Sequence, residues 1–148
     1  MRFAPAIALL CALPLPALAV TPETDMFGQC LVAKSNGEDR LLLARWMTLA
    51  FAAHPAVQDA VTFDPAKVDE TNQAVADLFM ALLTERCSNE AKAAVTAEGD
   101  PSIAMQKAFE MLGAVASQEA MMAPEVSNNV NGFITYVDEA ALMSALGQ

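Results

Sequence analysis

The chain predicts an all-α fold, a compact irregular or orthogonal bundle of about five to seven helices closed by one disulfide. Three observations predict it. Apolar residues recur at the three- and four-residue spacing of a helical face, and no run alternates like a strand between hairpin turns. Asp64-Pro65 and Asp100-Pro101 each join a capping carboxylate to a proline at the first helical position, where the missing N–H costs nothing. Beyond an apolar leader only two cysteines remain, Cys30 and Cys87, with no CxxC spacing and no neighbouring histidine to suggest a redox or metal site.

The leader is residues 1–19. MRF is a positive start, AIALLCALPLPAL an apolar run, and Ala17-Leu18-Ala19 a small-x-small cleavage site, the pattern of a secretory signal peptide. The run is too short for a membrane span and carries Pro14 and Pro16. Cys11 follows Leu10 where a lipoprotein signal needs a small residue, so it is expected to be discarded with the peptide. Residues 20–148 are then a single helical domain, and a periplasmic or secreted location follows. In such an oxidising compartment an isolated pair of cysteines forms a disulfide. Losing Arg2 with the leader moves the formal charge from −10 to about −11. An acidic protein of this kind is not expected to bind nucleic acid, and anionic membrane surfaces repel it once the leader is cleaved.

In chain order, the polar lead VTPETD offers Thr24 or Asp25 as cap of a first helix containing Met26, Phe27, Cys30 and Leu31, ended by Ser35-Asn36-Gly37. Ser35 and Glu38 have capping-box spacing for the next helix, DRLLLARWMTLAFAA. Its expected inner face holds Leu42, Leu43, Trp46, Leu49, Ala50 and Ala53, with Arg40, Arg45 and Thr48 outward. His54-Pro55 stops it, since a residue before proline avoids the α region. AVQDAVTF is a turn or an extended connector. The stretch DPAKVDETNQAVADLFMALLTERC is expected to be the central helix: Val68, Val75, Leu78, Phe79 and Leu82 share a face, and LFMALL is apolar almost all round. Ser88 caps a short helix ended by Gly99. The helix after Asp100 places Met105, Phe109, Leu112, Val115 and Ala116 inward. Within it Gly113 costs about 1 kcal/mol relative to alanine, and close approach of another helix is the expected reason. Pro124 ends the pattern, and the tail reads as two short helices, the second capped by Asp138.

Chemistry is sparse. His54 is the only histidine, and there is no HExxH, no GxSxG and no glycine-rich phosphate loop, so neither an enzyme nor a cofactor is expected. His54 is read as a helix C-terminal cap. Glu119 continues the apolar face of Phe109, Leu112 and Ala116, so it needs a partner, and Arg45 or Arg86 is the natural candidate. Trp46 reads as a core anchor, and most of the eight methionines beyond the leader as core filling.

The layout, an early cysteine, a second at the end of a long helix, and the turn LLTERCSNEAK, is similar to that of the periplasmic acid-stress chaperones of enteric bacteria, although this chain is longer and more apolar. It implies a non-enzymatic exported protein that binds a protein partner as a stress or chaperone-like factor. The alternative is an inhibitor or immunity protein whose acidic surface blocks a basic enzyme or toxin. An exposed apolar patch with pH-dependent loosening favours the first. A patch of carboxylates around one cleft favours the second.

Overall fold

The computed structural model describes residues 20–147 except Gln58 and Phe63, so the leader and its cleavage site lie outside the described residues. Among those described there are seven α-helices and no strand: α1 Pro22–Lys34, α2 Gly37–Ala52, α3 Pro65–Ala81, α4 Ser88–Glu98, α5 Pro101–Met121, α6 Pro124–Asn131 and α7 Glu139–Ala145. Short 3₁₀ turns at Pro55–Val57 and Gly132–Tyr136 fill two of the connections.

The helix starts follow the chain's own chemistry, with some shifts. Asp64 and Asp100 cap α3 and α5 as expected, their carboxylates accepting from the N–H groups of Ala66 at 2.9 Å and Ser102 at 2.8 Å. α1 starts earlier than expected, on Thr21-Pro22, because the same X-Pro device was available upstream of Thr24. The capping box of α2 is Asn36/Asp39 in place of Ser35/Glu38: Asn36 Oδ1 accepts from the Asp39 N–H and Asp39 Oδ2 from the Asn36 N–H. Ser35 is occupied in closing α1, its N–H bonded to the Leu31 carbonyl and its hydroxyl to that of Val32. Cys87, with its sulfur engaged elsewhere, stands at the cap position of α4, and Ser88 is the first helical residue.

The centre of the bundle is α1, not the stretch ending at Cys87. Phe27 and Leu31 are fully buried between α4 and α5. α3 packs mainly on α2, and of the apolar LFMALL run Leu78 and Leu82 are buried while Phe79 and Met80 face outward. Gly28, which admits Met111 of α5, is what lets the short α1 sit deep. The buried stripe of α5 is accordingly Ala104, Ala108, Leu112 and Ala116, one position round from the expected face. Small side chains allow the close approach, and the larger Met105, Phe109 and Val115 flank it half-buried.

After Ala81 the backbone widens into a π turn, Leu82–Arg86, where the Cys87 N–H reaches the Leu82 carbonyl five residues back at 2.9 Å. The turn places Leu82 and Cys87 both in the core. There the Cys87 sulfur is bonded to that of Cys30 at 2.04 Å, with 6.0 Å between the Cα atoms. The disulfide thus ties α1 to the end of α3, as expected. The two tail helices form, with Asp138 accepting from the Ala141 N–H at 3.0 Å, but no residue of α6, α7 or the turn between them is buried.

Candidate functional site

Two clamps hold α1, one at each end. At its start, the Glu98 carboxylate from the end of α4 accepts from Thr24 Oγ1 at 2.9 Å, Thr21 Oγ1 at 3.0 Å, the Thr21 N–H at 3.3 Å and Lys107 Nζ of α5 at 3.3 Å. An anion at a helix N-terminus also meets the positive end of the dipole. The Glu98 side chain is only 9% exposed. Burial alone would push its carboxyl up, but the bonds from Thr24, Thr21 and Lys107 outweigh it and hold Glu98 below its ordinary value.

At the end of α1, two arginines take up the last carbonyls. Arg40 Nη1 donates to the Ser35 carbonyl at 2.7 Å, and Arg86 Nη1 to that of Lys34 at 3.1 Å. Each is anchored by a carboxylate: Arg40 by Glu119 and Arg86 by Asp39, the latter at 2.8 Å. Glu119 is therefore half-buried and paired as the sequence requires, but with Arg40, which was expected to lean outward. Arg86 serves Asp39, and Arg45 is exposed.

Between α2, α3 and α5 lies an apolar pocket of about 290 Å³. α2 packs on both other helices and forms one wall with Leu43, Trp46 and Met47, while the rings of Phe79 and Phe109 stack across from α3 to α5 at 5.0 Å. No charged group and no hydroxyl lines it. Trp46, expected in the core, stands at the rim, 40% exposed, with its Nε1–H donated to Asn72 Oδ1 at 3.1 Å. Gly113 lines the same pocket. A Cβ built on it meets nothing within 4 Å, so no helix closes on this glycine and the expected close approach occurs at Gly28 instead.

The remaining residues singled out from sequence stay apart from the pocket. His54 is exposed and its Nδ1 accepts from the Ala56 N–H at 3.1 Å, capping the 3₁₀ turn ahead of it instead of the end of α2 behind it. Most of the described methionines are not core filling: Met26, Met80, Met121, Met122 and Met143 are exposed, while Met47, at the pocket wall, Met105 and Met111 are half-buried. The pocket itself was missed because its wall residues read as core faces. The signal for it was a glycine set inside the apolar face of α5.

Among the described residues no group of three or more His, Cys, Asp or Glu side chains could hold a metal, and no helix is long and apolar enough to cross a membrane. No protein-family model, curated protein or solved structure matches the chain.

Proposed function

We propose that the protein is exported, is not a catalyst, and acts by binding apolar stretches of partly unfolded polypeptide as a stress or chaperone-like factor. The observation that carries this reading is the unburied tail. From the end of α6 to the residue that caps α7, Val130, Phe133, Ile134, Tyr136, Leu142 and Leu146 are all exposed, Tyr136 by 90%. A run of large apolar side chains without a partner marks a protein-binding surface. Exposed Met121 and Met122 lead into it from α5, and methionine adapts to varied surfaces. The clamp at the start of α1 adds the pH dependence expected of a stress factor, since the bonds from Thr24, Thr21 and Lys107 outweigh burial and hold the Glu98 carboxyl below its ordinary value. An inhibitor would show carboxylates around its cleft, and none lines the pocket.

The test is aggregation of an unrelated protein at about pH 3 and at pH 7, followed by light scattering, with wild type and with a Phe133→Ser, Ile134→Ser, Leu146→Ser variant. The expected result is suppression by wild type, stronger in acid, and its loss in the variant at unchanged helical content. Equal scattering with and without the wild-type protein at both pH values removes the reading. Export is checked separately: material from the native host should begin at Val20 or within a residue or two of it, and a mature chain retaining Met1 contradicts it.

A further inference from the structure

We propose that the pocket between α2, α3 and α5 binds the apolar body of a small molecule or acyl chain, of roughly ten to twelve carbons, in a site independent of the tail. Three observations converge on it. The first is size: an engineered cavity of about 150 Å³ lined by aliphatic and aromatic side chains stays dry and holds one benzene, and this pocket offers about 290 Å³, close to twice that. The second is chemistry. The walls carry neither charge nor hydroxyl, and the one lining donor, Trp46 Nε1–H, is already bonded to Asn72. Water inside therefore finds no partner, and a polar occupant would give up its own hydration for nothing. What fits is an apolar body with any polar group left at the rim, beside the exposed edges of Trp46 and Phe79.

The third is Gly113. Glycine is the poorest helix former after proline, yet it sits inside the 21-residue α5 with open space where its side chain would be. No backbone or side-chain atom beyond its own turn of helix lies within 4 Å of that position, and Gly113 is itself one of the residues that line the pocket.

Trp46 is the only tryptophan in the chain, so its emission reports on the pocket alone. The experiment titrates the full protein with straight-chain 1-alkanols from hexanol to hexadecanol at neutral pH. The expected result is a saturable blue shift of Trp46 emission that tightens with chain length up to decanol or dodecanol and then levels off, with a matching rise in Tm. Absence of a saturable shift, or tightening that continues to hexadecanol as for simple partition, overturns the proposal. Gly113→Leu, which the open space admits, should keep or raise the Tm without ligand and weaken decanol binding at least tenfold; Val75→Phe narrows the pocket from α3 and should do the same. Wild-type affinity in either folded variant overturns it. Flotation with phosphatidylcholine vesicles separates the two sources. Association lost in the same variants assigns a lipid acyl end, and decanol binding without flotation assigns a free apolar molecule.

Discussion

Gly28 of α1 and Met111 of α5 pass each other with no room for a side chain: a Cβ on Gly28 would stand 3.0 Å from the Met111 sulfur and 3.3 Å from its Cβ. The thioether can swing aside for a methyl group, but the branched carbons of a valine would need the space that the Met111 sulfur and terminal methyl fill. Gly28→Val should therefore overpack the contact and destabilise by about 1–3 kcal/mol, read as a fall of several degrees in Tm. Met111→Ala in the same background should recover part of it, because the two residues share one contact. Additive losses in the double variant would show that the clash lies elsewhere.

The disulfide joins residues 57 apart in sequence. On the chain-entropy account, closing a loop of that length stabilises by about 4 kcal/mol, a large share of a total near 5–15 kcal/mol. Reduction should lower the Tm strongly while leaving much of the helical signal, since Phe27 and Leu31 still have α4 and α5 to pack against. Calorimetry with and without reductant measures this. Two freely alkylated thiols in oxidised material would remove its basis.

Much of this arrangement was legible in the sequence because it is local. X-Pro caps at Asp64 and Asp100, the Gly99 stop at φ 72° and the Asp138 cap each depend on a few adjacent residues. What was misread depends on partners far along the chain. Which face of α5 turns inward is settled by Gly28, about eighty residues earlier, so the alanine stripe displaced the larger Met105 and Phe109. Arg40 looked solvent-facing until Glu119 and the end of α1 came beside it. The π turn left no composition signal at all, and Gly113 was read as a contact when it marks a space.

The Arg40–Glu119 pair supports a carbonyl as well as a charge, so its loss should cost more than an exposed ion pair does. Arg40→Ala leaves the Ser35 carbonyl and the half-buried Glu119 without their donor. With the two side chains about a fifth and a third exposed, 21% and 34%, solvent makes good part of the loss, and about 1–2 kcal/mol is expected. Urea unfolding at neutral pH reads it. Glu119→Gln, which can still accept from Arg40, should cost less than Arg40→Ala, and the reverse order would mean that charge pairing, not the capped carbonyl, dominates.

Acid should loosen the other end of α1 through Glu98. Its folded carboxyl ionises more readily than in the unfolded chain, where the ordinary value is 4.5, because Thr24, Thr21 and Lys107 all bond the charged form. Its contribution is therefore complete above about pH 5, begins to fall as the unfolded group takes up protons, and is lost as pH drops through the lower folded value. Once protonated, Glu98 no longer balances Lys107, and the start of α1, which covers Phe27 and Leu31, loses its anchor. Glu98→Gln keeps an acceptor for both threonines but cannot titrate. It should be less stable than wild type at pH 7, with the two Tm curves converging as pH falls from about 5 toward 3. Thermal melts of both proteins across that range decide the matter: parallel curves would show that Glu98 is not a source of acid sensitivity.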